Sequence, residues 1–116
     1  MARDFDASSG FQNVFAVGAG DNEPVAASAT DQVLGPTGAA GDRLNGLLIV
    51  PATTSPGAVS VKDGSGSGVT VFTGGASSVS DLKSFYVYYG DARSSSGAWK
   101  VTTGANVSAV AFGDFT

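Results

Sequence analysis

Val59-Ser60-Val61-Lys62-Asp63-Gly64-Ser65-Gly66-Ser67-Gly68-Val69-Thr70-Val71 is the stretch whose reading decides the fold. Valines alternate with polar residues on both sides of a run of Gly and Ser, which is the period of a half-buried strand repeated about a turn. It predicts a β-hairpin with a Gly/Ser tip. Downstream, Phe85, Val87 and Tyr89 share one parity and Ser84, Tyr86 and Tyr88 the other, so both faces of this strand carry bulky groups. Such a strand is central in a sheet or lies at a contact surface. Upstream, Leu44 and Leu47-Leu48-Ile49-Val50 make a short apolar run closed by Pro51, which reads as a buried strand and not a helix.

Two further strands, Ala98 to Thr103 and Asn106 to Phe112, flank Gly104-Ala105. Gly at the first central position suits a type II′ turn, and a second hairpin is expected there. Its register sets Thr103 against Asn106, Val101 against Ser108 and Trp99 against Val110. Trp99, Val101, Val110 and Phe112 then form a core face, while Ala98, Lys100, Thr102, Val107, Ala109 and Ala111 form a flat face that packs on another sheet or subunit. Asn13 to Val17 and Pro24 to Thr30 are weaker strand candidates. Gly35 to Arg43, with Gly at every third position, and Ser94-Ser95-Ser96-Gly97 read as surface loops.

These elements predict an all-β chain: a small antiparallel β-sandwich or jelly-roll-like barrel of seven or eight short strands, with residues 1–12 as an N-terminal arm and 13–116 as a single β domain. No segment has a sustained helical period.

The composition narrows function more by exclusion than by motif. The 116 residues contain no Cys and no His, which removes thiolate and imidazole catalysis and the commonest zinc sites. Charged residues are 14% of the chain, and Gly, Ala, Ser and Thr make up half of it. A net charge of −4 repels nucleic-acid phosphates. The mean hydropathy of +0.15 with so little charge predicts a folded chain. There is no apolar run long enough to span a membrane and no export signal at Met1-Ala2-Arg3-Asp4-Phe5-Asp6, so a soluble protein is expected.

Candidate chemistry is sparse. Asp63-x-Ser65-x-Ser67 offers hard oxygens of the kind a divalent cation takes, and Asp21-Asn22-Glu23 does the same, but each also reads as a turn, and no metal or cofactor is expected. Lys62, Lys83 and Lys100 belong to no Ser-x-x-Lys motif, and the chain has no Gly-x-Ser-x-Gly elbow. Gly64-Ser65-Gly66-Ser67-Gly68 leads into a strand, where a phosphate loop needs a helix N-terminus. The expectation is a protein that is not an enzyme. Tyr86, Tyr88 and Trp99 are either packing anchors or a sugar-stacking platform, with Trp99 on the wrong face for the latter.

The stretch from Leu47-Leu48-Ile49-Val50-Pro51 through Val59-Ser60-Val61-Lys62-Asp63-Gly64 and Val69-Thr70-Val71-Phe72 to Gly97-Ala98-Trp99-Lys100-Val101-Thr102-Thr103-Gly104-Ala105-Asn106-Val107 resembles small virion proteins of tailed bacteriophages. The resemblance covers roughly the C-terminal 60% of the chain. It implies a head decoration (cement) protein that binds the major capsid protein on the outer capsid surface as a homotrimer, in virions assembled in the host cytoplasm. In that setting an arm bearing Arg3, Asp4, Phe5 and Phe11 is expected to order on the capsid and pair with a neighbouring sheet edge, and Tyr86 and Tyr88 are candidate subunit or ligand contacts. The alternative is a tail-fibre or glycan-recognition module, or another head or tail structural subunit.

Overall fold

The computed structural model describes residues 20–116. The arm with Arg3, Asp4, Phe5 and Phe11, and the strand expected at Asn13 to Val17, lie outside the described residues.

Eight strands follow one another: β1 (Asp21–Val25), β2 (Gln32–Val33), β3 (Arg43–Pro51), β4 (Val59–Asp63), β5 (Val69–Phe72), β6 (Phe85–Arg93), β7 (Trp99–Thr103) and β8 (Val107–Asp114). They form two four-stranded antiparallel sheets, one in the order β1-β8-β3-β6 and the other β2-β7-β4-β5. Strands 1 and 8, 2 and 7, 3 and 6, and 4 and 5 are all neighbours. The chain is therefore one long antiparallel ribbon, folded over so that its halves face each other, with the β4–β5 hairpin at its tip. This is the double Greek-key connectivity of a jelly roll. Each sheet keeps two open edges among the described residues, so the architecture is a sandwich and not a closed barrel.

The hairpin that decided the fold is present, with Val59 opposite Phe72 and Val61 opposite Val69. Val59 and Val61 are buried, as their parity requires. The apolar run at Leu44 to Pro51 is β3, an inner strand between β8 and β6.

The second hairpin is absent. β7 and β8 belong to different sheets, and the turn between them carries the chain across the sandwich. Gly104 lacks the positive φ that the first central residue of a type II′ turn requires; the left-handed residue is Asn106, at φ 62°. Gly104 instead allows two backbones to touch, since a Cβ there would meet Gly57 Cα at 2.8 Å, and one on Gly57 would meet Gly104 Cα at the same distance. Gly104 N–H donates to Ala58 O and Gly57 N–H to Ala105 O, which lashes this crossing to the start of β4. The parity beyond the turn is thus the reverse of that expected. Val107, Ala109 and Ala111 are buried against the other sheet, while Val110 and Phe112 sit on the outer side of β8.

The first strand also differs. Asp21-Asn22-Glu23 belongs to β1, earlier than the Pro24 to Thr30 expected. Its acids are used as structural acceptors: Phe115 N–H donates to Asp21 Oδ2 at 2.8 Å, and Gly35 N–H to Glu23 Oε1 at 2.7 Å. That use of the carboxylates lets polar residues stay in a strand that hydropathy alone would leave as a turn.

Val25, Leu44, Leu47, Ile49, Val107, Ala109 and Ala111 from one sheet meet Val59, Val61, Trp99 and Val101 from the other, with Leu34 and Phe115 closing the ends. Trp99 stacks edge-on against Tyr89 at 5.5 Å and donates its indole N–H to Asp42 O at 2.9 Å. Buried Thr103 donates its hydroxyl to Ala26 O and accepts from Ala29 N–H, so this polar group is satisfied inside the core.

Candidate interaction surface

The outer side of the β1-β8-β3-β6 sheet is assembled by strand register. Pro24 lies opposite Val110, Val110 opposite Leu48, and Leu48 opposite Tyr86, which makes one row across all four strands. The next row runs Asn22, Phe112, Gly46, Tyr88. These two rows carry no ionised side chain, on a chain whose net charge is −4. Apart from Glu23, which lies between the two rows on the other parity and accepts from Gly35 N–H, the charged residues of this sheet gather at one end, where Arg43 pairs with Asp91 at 3.1 Å. On a water-facing antiparallel sheet the outer parity is ordinarily polar, so two uncharged rows rich in apolar and aromatic groups make this the candidate contact face.

Gly46 shapes its centre. A Cβ at this position would collide with the Tyr86 ring and Val87 O, so only Gly lets the phenol lie down over β3. Tyr86 then donates its hydroxyl to Asn45 Oδ1 and packs 6.0 Å from Phe112 with the rings tilted by 58°. Burial beside Gly46 pushes the Tyr86 phenol above its ordinary pKa, and Tyr88 and Asp91 add to the shift. Asn45, Leu48, Tyr86 and Phe112 line an open groove of about 360 Å³. Tyr88 stands next to it and is 68% exposed.

Of the residues singled out from sequence, Tyr86 and Tyr88 are on this face together. Among the described residues their strand is an edge strand and not a central one. Trp99 is buried at the opposite side of the core, away from both tyrosines' outer faces. Leu48, Val110 and Phe112 were not picked out as surface residues. Leu48 carried a usable signal, because both parities of the Leu47 to Val50 run are apolar.

The Gly/Ser tip binds its own chain. Asp63 accepts from Ser95 N–H at 2.9 Å, Ser96 N–H at 3.0 Å and Ser95 Oγ at 3.0 Å, which ties the β4–β5 turn to the loop before β7. The hydrogen bond from Ser96 N–H, with those from Ser95, holds the Asp63 carboxyl below its ordinary pKa against a smaller effect of burial. The partners are Ser95 and Ser96, so the spacing Asp63-x-Ser65-x-Ser67 is not the one that matters in the folded chain. Among the described residues no three Asp or Glu side chains converge as metal ligands, and no helix is long and apolar enough to cross a membrane.

Comparison with protein-family models, with curated proteins and with solved structures finds no match to this chain.

Proposed function

We propose that this protein is a non-enzymatic structural component of a tailed-phage particle, which docks on the outer surface of the capsid through the exposed face of the β1-β8-β3-β6 sheet. The observation that carries the reading is the pair of uncharged rows from Pro24 to Tyr86 and from Asn22 to Tyr88. A flat face of this kind can be buried against another protein with little charge to desolvate, the pattern found at the centre of protein interfaces. The sequence resemblance to phage virion proteins supplies the partner, the major capsid protein. The jelly roll is compatible with it, being an architecture used in viral capsid and lectin domains alike, so the fold by itself does not choose between them.

The test is the number of copies of this chain per major capsid protein in purified particles, measured by quantitative mass spectrometry. A ratio near one supports decoration of a symmetric shell, and a few copies per particle moves the protein to a fibre or tail. Leu48→Lys, which sets a charge in the middle of the face while its methylene stem still covers apolar surface, is expected to lower occupancy without unfolding the domain.

A second reading rests on the groove itself. Exposed Tyr88, opposite Gly46, offers a ring to stack on, and Asn45, which lines the groove, an amide N–H to donate, the combination a neutral sugar takes. Binding on a glycan array that is lost in Tyr88→Ala would favour it.

A further inference from the structure

We infer that Asn45 is a modification site: in the folded protein its carboxamide is converted to a carboxylate through attack by the Gly46 backbone nitrogen, with the Tyr86 hydroxyl as the donor that assists the step. The conversion needs only water and this chain, while its consequence for docking rests on the proposed function.

Asn45-Gly46 is the one Asn-Gly step in the sequence. A side-chain amide is most open to the next backbone nitrogen when that nitrogen belongs to Gly, because no Cβ flanks the nucleophile. A strand ordinarily suppresses this chemistry, since pairing on both sides fixes the torsions that would bring the two atoms together. β3 relaxes that constraint at one residue. It is an inner strand, yet its registers with β6 and β8 both step from Leu44 to Gly46, so Asn45 has no opposite number in either ladder. A bulge leaves its extra residue unpaired and re-aims the side chain. Here the half-buried Asn45 is aimed into the open groove, within reach of water.

Tyr86 then brings the reacting groups together. Its ring and hydroxyl lie against Gly46, in the space that a Cβ would fill, and the same hydroxyl donates to Asn45 Oδ1. One phenol oxygen thus sits beside both residues, and the carboxamide leans along the chain toward Gly46. When the nitrogen attacks Cγ, the electron pair of the C=O bond moves onto Oδ1, the atom the phenol already holds. A donor placed where negative charge develops lowers the barrier to such a step. Burial keeps the phenol above its ordinary pKa, so it is still a donor in mildly alkaline water, where the peptide nitrogen gives up its proton most readily.

The step balances with water as its only co-reactant. Gly46 N loses its proton and bonds to Asn45 Cγ, the Cγ–Nδ2 bond breaks, and ammonia leaves with the proton it takes up. Water then opens the cyclic imide. Opening at one carbonyl gives aspartate at position 45, and opening at the other gives isoaspartate, with a methylene added to the main chain. Either product sets a negative charge beside two rows that carry none. On the docking reading, free copies lose competence with age, and copies already seated, with the groove shut to water, keep it.

The experiment is a time course on the full chain in mildly alkaline buffer made with isotopically labelled water, read by peptide mapping, with the same chain in urea as the reference for sequence alone. Label is expected to accumulate at position 45 of the folded protein at a rate not below that in urea, while Asn22 and Asn106, which precede Glu23 and Val107, stay unmodified. Tyr86→Phe keeps the ring over Gly46 and removes the donor. It is expected to slow the folded reaction about tenfold, short of the roughly 10²–10³ that such a donor is worth in a site closed to water, and to leave the rate in urea unchanged. A folded rate well below that in urea, or a Tyr86→Phe rate equal to or above wild type, would mean that the strand and the phenol shield the amide and would overturn the proposal. The comparison with urea decides by itself where Tyr86→Phe does not fold, which its Trp99 fluorescence reports. Asn45→Asp, which installs the charge directly, is expected to lower occupancy on purified particles; full occupancy would refute the docking consequence alone, and so is told apart from failure of the chemistry.

Discussion

Asp42 is the residue whose replacement tests the packing account most directly. It is 5% exposed, and its carboxylate gathers three donors: Ala39 N–H and Thr116 N–H on Oδ2, each at 3.1 Å, and the Thr116 hydroxyl at 3.1 Å from Oδ1. Its carbonyl takes Ser94 N–H at 2.8 Å and the Trp99 indole at 2.9 Å. One residue thus joins the Gly35 to Asp42 loop, the Ser94 loop, the final residues and the core tryptophan. Asp42→Ala removes the carboxylate and leaves two amides and a hydroxyl without their acceptor. A fully buried orphan costs about 1–3 kcal/mol, and because Ala39 and Thr116 are exposed to water each is taken near the bottom of that range. The sum is about 2–3 kcal/mol, or a fall in Tm of about 10–20 °C for a domain of this size. Asp42→Asn keeps an acceptor for both amides, and its NH2 group turns to the Thr116 hydroxyl, so it is expected to lose less than half as much. Urea titrations followed by the fluorescence of Trp99, the one tryptophan, measure both. Equal losses in the two variants would mean that charge and not acceptor geometry holds the loops, and a loss below about 0.5 kcal/mol for Ala would refute the hub altogether.

Asp63 gives a pH-dependent counterpart. Its folded pKa lies below the ordinary value, so its contribution is present above the unfolded pKa and is lost as pH falls through the lowered folded one. Wild type is expected to exceed Asp63→Asn by less than about 1 kcal/mol near pH 7, given the exposure of the site, and the two should converge near pH 2 in urea midpoints; a gap that persists in acid would count against the carboxylate. The reversal of parity in β8 is checked by a pair of truncations. Val107→Ala, at a buried position, is expected to cost about 2 kcal/mol, and Val110→Ala, on the outer side, under about 0.5 kcal/mol. The opposite ranking in thermal melts would restore the hairpin register that the sheet topology replaces.

How far the sequence could be read depended on the separation between the residues that pair. The β4–β5 hairpin is the one ribbon pair whose members are adjacent in the chain, and its alternation and Gly/Ser tip were enough to identify it. The apolar run of β3 announced a buried strand by itself, and the inward parity of Trp99 and Val101 in β7 is a property of that strand alone. By contrast, β1 with β8, β2 with β7 and β3 with β6 join distant parts of the chain, and no local pattern states such a pairing. Gly104-Ala105-Asn106 shows why: a Gly in a short connection satisfies a hairpin turn and a close backbone crossing equally well, and the two differ only in what lies beyond it. Here Gly57 lies beyond it, 47 positions upstream.

The same ambiguity governed the contact face. Where a hairpin carries parity across its turn, a crossing between sheets resets it, and this is why Phe112 and Val110 belong to the surface and Ala109 and Ala111 to the core. Small residues on the inner side of β8 are what the packing requires, since Trp99 and the branched side chains of the facing sheet occupy the space between the layers. Larger groups on its outer side have no such partner within the described residues. In β3 and β6 the excess has the same form: Leu48 and Tyr86 are apolar or aromatic on a side that the sandwich does not bury. Three neighbouring strands thus depart from polar-outside alternation at registered positions, with Gly46 left bare so that Tyr86 can lie across them. A departure on one strand would be unremarkable, because singly scattered apolar side chains are common on protein surfaces. Its alignment across the sheet, set by pairings that the chain makes only when folded, is what the proposed docking face rests on.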